Sequence, residues 1–189
     1  MIRRENVHPE LIFTKILDDE DMNNRIINRI DDVGDEQNKY QRMNQSLCTN
    51  FAMHKQYSEF AQLADEALDF CQLSSDDVCN DFENHKIRLT QPGYNYFIQT
   101  LSNTLVWGTR AESGEIVRAH DHWPSVWGWT YYIDPPEGCS NLYFPTLDYE
   151  LEIEHGMLVA FRGHVIHETR PQPFDGYRYC VAGTLSHLK

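Results

Sequence analysis

Two histidines of this chain stand at a spacing that suits metal binding. His120 and His122 lie two residues apart at the end of a predicted strand. Alternate residues of a strand point the same way, so both imidazoles can face one cavity while Asp121 faces out. Taken alone, such a pair is more often two loop histidines with ordinary hydrogen bonds. Imidazoles suit iron, zinc, copper or nickel, and three protein ligands leave positions open for a substrate.

A third histidine is expected from the segment Gly156 to Thr169, where a glycine opens a buried apolar strand and His164 and His167 follow it. In a jelly roll, a strand pair near the start and one near the end lie side by side, so they can deliver ligands to one ion. Regular strand alternation puts His164 and His167 on opposite faces, so only one of the two is expected to be a ligand.

Arg178 begins an otherwise apolar strand, eleven positions after His167. A guanidinium that points inward needs an anion, and its planar fork matches a carboxylate through two parallel hydrogen bonds. On its own, such an arginine is more often paired with a carboxylate of the protein. Together with the histidines, it indicates an organic acid as cosubstrate.

The C-terminal half of the chain must supply the strands that position these side chains. Period-two patterns of β-branched and aromatic residues lie between proline and glycine breaks. Strands are predicted over Tyr94–Val106, Glu115–His120, Val126–Ile133, Leu142–Phe144, Tyr149–Glu154, Met157–Phe161, His164–Glu168 and Tyr177–Leu185. Many short strands with close turns predict a mainly β fold whose core is a double-stranded β-helix, or jelly roll. The turns Gly108–Gly114 and Pro135–Asn141 are candidate rims of a pocket.

The N-terminal portion carries helical patterns instead. One helix is predicted from the acidic residues 18–21 to Gly34, and residues 35–50 are polar and predict a loop. A second helix is predicted to begin at Ser58, with an apolar face at steps of three and four: Phe60, Leu63, Ala64, Ala67, Leu68 and Cys71. We expect a single domain over 1–189, with a helical front portion over 1–85 packed on one sheet of the core over 86–189, which holds the metal site.

Composition disfavours several classes of protein. The 189 residues include 41% hydrophobic ones and carry a formal charge of -13, which argues against nucleic acid or an anionic membrane as partner. The five cysteines are odd in number and form no C-x-x-C pair, which favours reduced thiols in a cytosol. No apolar run is long enough for a signal peptide or a membrane span. We therefore expect a cytoplasmic protein.

The order of these motifs resembles that of the small 2-oxoglutarate/Fe(II) oxygenases of bacteria and phages, which are related to the prolyl 4-hydroxylase branch. The resemblance rests on the H-x-H at 120–122 with the Pro-Ser turn after it, and on the strand 127–132 that ends in Tyr-Tyr. It continues in a G-x-L-x-x-F pattern over 156–161, with His167 six positions later, and in an arginine-led final strand. It covers most of the chain, although only the C-terminal motifs are specific.

This resemblance implies that His120, His122 and His167 hold Fe(II). By the same analogy, 2-oxoglutarate takes two coordination positions and dioxygen takes the last. An unknown small-molecule or protein substrate is then hydroxylated, with release of succinate and CO2. The resemblance therefore implies an Fe(II)/2-oxoglutarate-dependent dioxygenase.

The remaining site residues follow from the same resemblance. Arg178 is expected to hold the far carboxylate of 2-oxoglutarate, and Tyr131, or else Tyr132, to add a hydrogen bond to the cosubstrate. Trp127 and Trp129 either wall the pocket or fill the core of the sheet.

The chain departs from the pattern of the group at two places. Phe161 is followed by Arg162 and Gly163, where the group often has Phe-Pro-Ser. The wider superfamily uses His-x-Asp with a distal histidine, and His122 stands at the position of that carboxylate. Asp121 is therefore an alternative ligand to His122 if a β-bulge turns it inward.

Two other function classes stay open at this point. A cupin-like three-histidine metalloprotein that does not use 2-oxoglutarate fits the spacing from Gly114 to His120 and His122. The glutamate that such a pattern expects three or four residues beyond His122 is missing, because Val126 and Trp127 stand there. The third class is a non-enzymatic β domain whose histidines are incidental.

Overall fold

The computed structural model of this protein describes residues 6–8, 11–17, 19–34, 46–80 and 101–187. The helices are α1 (Glu20–Val33), α2 (Met53–Gln56) and α3 (Ser58–Asn80). The strands are β1 (Asn6–His8), β2 (Ile12–Ile16), β3 (Leu47–Cys48), β4 (Leu101–Ala111), β5 (Val117–His120), β6 (Trp127–Tyr132), β7 (Leu142–Phe144), β8 (Tyr149–Leu151), β9 (Met157–Arg162), β10 (His167–Thr169) and β11 (Arg178–His187). The expected boundary at residue 85 and the first part of the strand predicted from Tyr94 fall outside the described residues.

The described strands form two antiparallel sheets. The larger sheet has the order β1-β2-β9-β6-β11-β4-β3, and the smaller one has the order β5-β10-β7-β8. The two sheets share a core that includes Tyr132 and Phe161 from the larger sheet and Leu142 and Phe144 from the smaller one. This arrangement confirms the prediction of a mainly β fold with a jelly-roll core.

The two longer helices cover the other face of the larger sheet. Helix α1 begins where the side chain of Asp19 accepts a hydrogen bond from the backbone N–H of Met22 at 2.9 Å, and it ends before Gly34. Helix α3 begins at Ser58 as predicted and continues to Asn80, beyond the predicted apolar face. The apolar stripes of both helices are buried against the sheet. Within the described ranges, no helix combines the length and apolarity needed to cross a bilayer.

The N-terminal portion is not only helical, because it also extends the larger sheet. Ile12–Ile16 pairs with β9, and Leu47–Cys48 pairs with β4 at the opposite edge. The prediction of a loop over 35–50 is therefore wrong at Leu47–Cys48, which forms strand β3. A strand of two residues is too short to show a period of two, so its formation depends on the neighbouring strand.

The structure also corrects several predicted strand ends, among them that of the strand from Tyr149, which ends at Leu151 instead of Glu154. Strand β4 continues through Gly108 to Ala111, although a turn was predicted from Gly108. A Cβ at Gly108 would lie 2.5 Å from Cγ1 of Ile30 on helix α1, so this glycine permits close packing rather than a turn. The strand predicted from His164 begins only at His167.

Alternation along the central strands separates two sets of side chains. On β6, Trp127, Trp129 and Tyr131 pack in the helix-side core, whereas Tyr132 packs between the two sheets. On β11, Val181 faces the helices and Cys180 faces the smaller sheet. The side chains that face the smaller sheet are the ones available to a site between the sheets.

Replacement of Gly183 by alanine should destabilise the fold, because a Cβ there would lie 2.4 Å from Cε2 and Cζ2 of the fully buried Trp129. We expect Gly183→Ala to lower the free energy of unfolding by about 1–3 kcal/mol, as overpacking of a filled core does. Urea unfolding measures this change. The control is His187→Ala, exposed at the end of the same strand, with an expected change within about 0.5 kcal/mol. Equal stability of the two variants would contradict the prediction.

Candidate metal centre

Three histidines converge between the two sheets. His120 is the last residue of β5 and is paired directly with His167, the first residue of β10. His122 comes from the segment after β5 and completes the cluster. The potential ligand atoms of the three side chains all lie within 4.8 Å of one another. The ring centroid of His167 is 4.3 Å from that of His120 and 4.9 Å from that of His122.

Hydrogen bonds to the backbone orient two of the imidazoles. Nδ1 of His120 lies 2.8 Å from the carbonyl oxygen of Arg118, and Nδ1 of His167 lies 3.1 Å from that of Val165. A carbonyl can only accept, so Nδ1 donates in both rings and Nε2 keeps its lone pair. Such an outer hydrogen bond fixes the tautomer of metal-binding histidines. Both rings therefore present Nε2 as a potential ligand.

The structure groups His122, rather than Asp121, with the other two histidines. The backbone N–H of His122 donates to the carbonyl oxygen of Gly163 at 2.7 Å, which ties this segment to the turn after β9. Asp121 is exposed, and its carboxylate accepts a hydrogen bond from the backbone N–H of Trp123 at 3.2 Å. His164 is exposed on the turn between β9 and β10 and lies outside the cluster.

Burial keeps all three imidazoles neutral. Burial, with a smaller contribution from the neighbouring His120, lowers the pKa of His122 to about 4. Burial also holds the pKa of His167 well below its usual value. The pKa of His120 is lowered by burial as well, against the opposing effects of its hydrogen bond to Arg118 and the charge of Asp121. A neutral imidazole is the form that binds metal, so this cluster is prepared for a cation at neutral pH.

The histidines open on a cavity of about 450 Å³ that also contains Arg178. Arg178 is only 3% exposed, and its NH1 donates to the carbonyl oxygen of Ser140 at 3.0 Å. Its Nε is buried and has no hydrogen-bond partner. The ion pairs found among the described residues include none for this guanidinium. A buried cation in this state is suited to an anionic ligand.

Tyr131 does not reach the cavity, which corrects the expectation for this residue. Its hydroxyl donates to Oδ1 of Asn23 on helix α1 at 2.8 Å, on the helix side of the larger sheet. Tyr132, the other residue considered, lines the cavity instead. Burial raises the pKa of Tyr132, so its phenol stays protonated and can donate a hydrogen bond. Tyr132 lines the cavity instead of Tyr131 because successive side chains of β6 point to opposite faces of the sheet.

The aromatic wall of the cavity was not predicted. Trp127 and Trp129 fill the helix-side core, whereas Trp107 on β4 and Phe51 line the cavity, with ring centroids 5.0 Å apart. Trp107 lies one residue beyond the strand predicted over Tyr94–Val106 and was not expected at the cavity. Trp107 is paired with Ala182 on β11. Ala182 lies four residues after Arg178 on that strand, so both side chains point to the same face, and the pairing places Trp107 on the cavity face.

The two loops expected to form the rim of the cavity do not line it as loops. Within 108–114, only Thr109 lines the cavity, and it belongs to β4. The Pro135–Asn141 segment contacts the buried end of the cavity through the carbonyl oxygen of Ser140, which accepts the hydrogen bond from Arg178.

Comparisons with known proteins identify the fold. No family model matches the sequence, and no curated protein matches it either. Among solved structures, the chain is similar to a prolyl-4-hydroxylase of Pseudomonas putida, with a TM-score of 0.58 and 14% identity over 94% of this chain and 93% of that one. It is also similar to the viral collagen prolyl hydroxylase of Paramecium bursaria Chlorella virus-1 in its 2-oxoglutarate complex, with a TM-score of 0.56, 14% identity, and coverage of 93% and 96%.

A third similar structure is HygX of Streptomyces hygroscopicus with nickel, 2-oxoglutarate and hygromycin B bound. Its TM-score is 0.59, with 11% identity over 93% of this chain and 82% of that chain. The chain thus has the fold of prolyl hydroxylases and 2-oxoglutarate-Fe(II) oxygenases. The fold expected from the sequence motifs is confirmed, and the activity is a separate question because identities this low show the fold alone.

A histidine substitution should test the metal cluster directly. We expect the protein to bind one Co(II), used as a probe for Fe(II), and His167→Ala to bind it at least about 100-fold more weakly, because one of three ligands is lost. His164→Ala is the matched control and should keep the affinity, since His164 is exposed outside the cluster. Isothermal titration calorimetry measures both affinities. Similar binding by His167→Ala and the unmodified protein would exclude His167 as a ligand.

The lowered pKa values predict weak proton competition for the metal. Three histidines with the ordinary pKa of about 6.5 would lose roughly 50-fold in affinity between pH 7.5 and pH 6.0, because each would be mostly protonated at the lower pH. With the pKa of His122 at about 4 and those of the other two also lowered, we expect a loss below about tenfold. Co(II) titrations at the two pH values measure it. A loss of 50-fold or more would contradict the burial argument.

Proposed function

We propose that this protein is a non-haem Fe(II)- and 2-oxoglutarate-dependent dioxygenase that hydroxylates an unknown small-molecule or protein substrate and releases succinate and CO2. One observation carries the proposal: a cluster of three neutral imidazoles shares a cavity with a buried guanidinium that has no carboxylate partner among the described residues. Metal ligands alone fit many functions, and the added arginine selects an anionic cosubstrate.

The donor set fits Fe(II). His120 and His167 present Nε2 because backbone carbonyls hold their Nδ1 protons, and His122 completes the group. Imidazole nitrogen is a suitable donor for iron, and three protein ligands leave positions open for cosubstrate and dioxygen. Bound Fe(II) would supply the activation of dioxygen that is coupled to oxidative decarboxylation of 2-oxoglutarate. The role of the protein groups is to hold the ion in a largely buried place.

Arg178 would bind the distal carboxylate of 2-oxoglutarate. A buried charge without a counter-ion is costly, and an incoming carboxylate removes that cost while it satisfies the unpaired Nε. The hydroxyl of Tyr132 is close enough to Arg178 for the guanidinium charge to influence its pKa. Because that phenol remains protonated, it is available as a second donor to the same carboxylate. Tyr132 thus takes the role that was expected of Tyr131.

The comparisons support this function. The similar structures include a prolyl hydroxylase with 2-oxoglutarate and HygX with nickel and 2-oxoglutarate. The alternative, a cupin-like three-histidine metalloprotein that does not use 2-oxoglutarate, leaves the buried guanidinium of Arg178 without a role. Cytoplasmic location, a single domain over 1–189, and the absence of nucleic-acid and membrane partners stay predictions from the sequence.

Substitution of Arg178 separates the two candidate functions. We expect Arg178→Ala to weaken 2-oxoglutarate binding by about 10- to 100-fold, the size of a lost hydrogen-bonded ion pair, while Co(II) affinity changes by less than about threefold. Titration of 2-oxoglutarate into the Co(II)-loaded protein measures the first effect. Succinate release with Fe(II) and ascorbate should fall in parallel at low 2-oxoglutarate concentrations.

The matched control is Arg110→Ala, because Arg110 pairs with Asp31 of helix α1 at 2.7 Å and does not line the cavity. This variant should bind 2-oxoglutarate like the unmodified protein. If the unmodified protein binds Co(II) but 2-oxoglutarate changes neither its spectrum nor its affinity, the oxygenase proposal is wrong and the three-histidine metalloprotein is favoured.

A further inference from the structure

The three histidines are not positioned by the same means. His120 and His167 each donate from Nδ1 to a backbone carbonyl, whereas no hydrogen bond to the ring of His122 is found among residues 11–17, 19–34, 46–72 and 101–187. Apart from the other two histidines, its neighbours include aromatic side chains. The ring of Phe161 is stacked beside it, with centroids 5.9 Å apart and planes inclined by 23°. Packing therefore has to fix the orientation of this imidazole.

Gly128 on β6 forms the surface on which the His122 ring rests. A Cβ built on Gly128 would lie 2.4 Å from Cδ2 and 3.1 Å from Nε2 of His122. It would also lie 2.6 Å from Cε2 of Phe161. The imidazole thus occupies space that any other residue at position 128 would fill with its own side chain.

The backbone at Gly128 has little freedom to move away. Strand β6 lies between β9 and β11, and Gly128 is paired with Phe161 on one side and Thr184 on the other. A glycine inside a strand weakens it by about 0.5–1 kcal/mol relative to alanine. Its presence at the centre of this sheet is accounted for by the close approach of the ring.

We propose that Gly128 is the positioning residue for His122, the third metal ligand, and sets the size of the ligand that position 122 can present. This inference rests on the proposed function, since it concerns the geometry of the same metal centre. The proposal makes a specific prediction about the size of the side chain at position 122. An aspartate at position 122 is shorter than histidine and binds the same metals in two-histidine, one-carboxylate sites. A carboxylate ligand at 122 therefore does not need the space above Gly128.

A double-mutant cycle of Gly128→Ala and His122→Asp tests this coupling. In the presence of His122, we expect Gly128→Ala to weaken Co(II) binding by about 10- to 100-fold, the range seen when the support of a ligand is removed. We also expect the Co(II) visible spectrum to change, because one imidazole leaves the ion. In the His122→Asp background, the same alanine should change Co(II) affinity by less than about threefold.

Gly108→Ala is the matched control, because its Cβ would lie 2.5 Å from Cγ1 of Ile30 on the helix side of the larger sheet. It crowds another strand of the same sheet to a similar degree without touching the cluster, so its Co(II) affinity and spectrum should equal those of the unmodified protein. Near-ultraviolet circular dichroism checks the folding of every variant. If Gly128→Ala does not fold while the double variant folds and binds Co(II), the conflict lies with the imidazole and the proposal is supported.

Three results would overturn the positioning role. One is a Gly128→Ala variant with the affinity and spectrum of the unmodified protein. The second is an equal effect of Gly128→Ala with histidine and with aspartate at position 122. The third is a double variant that fails to fold, which would assign the conflict to Phe161.

If the unmodified protein binds no Co(II) at all, the proposed function fails first. If it binds Co(II) and 2-oxoglutarate normally, only the positioning role of Gly128 is at stake.

Discussion

The candidate site depends on one backbone pairing, in which the end of β5 lies against the start of β10. This pairing sets His120 directly opposite His167, although the two residues are far apart in the chain. Their Nδ1 atoms are engaged by the backbone carbonyls two residues earlier, those of Arg118 within β5 and Val165 just before β10, so the local backbone also orients the rings. The closeness of these two imidazoles follows from this pairing, and burial between the sheets lowers their pKa values.

The larger sheet gives the cavity its chemical character. Its central strands direct one set of side chains to the helices and the other set to the space between the sheets. The helix-side set is apolar and aromatic, and it stabilises the sheet. The cavity-side set contains Arg178, Tyr132 and Trp107, so a charged group, a phenol and an aromatic wall are held on rigid strands. Groups on strands are positioned more firmly than groups on loops.

Much of this organisation is readable from the sequence, because strong local signals determine it. Asp19 and Gly34 bound helix α1, and Ser58 opens α3, since caps and apolar periodicity act locally. The grouping of the three histidines was expected from the family resemblance, because spacing alone left His164 beside His167, and Asp121 beside His122, as alternatives. Tyr131 was misplaced because strand alternation cannot be carried across the segment 121–126, whose backbone is irregular. Leu47–Cys48 and Gly108 depend on contacts with distant neighbours, which no local pattern records.

The pairing of β2 with β9 has a consequence for the order of folding. Strand β9 carries Phe161 and leads into the turn that holds His122, and it gains its outer neighbour from the first segment of the chain. Its inner neighbour β6 is in turn paired with β11, at the far end of the sequence. A chain emerging from the ribosome therefore cannot complete the core of this sheet before β11 has been synthesised.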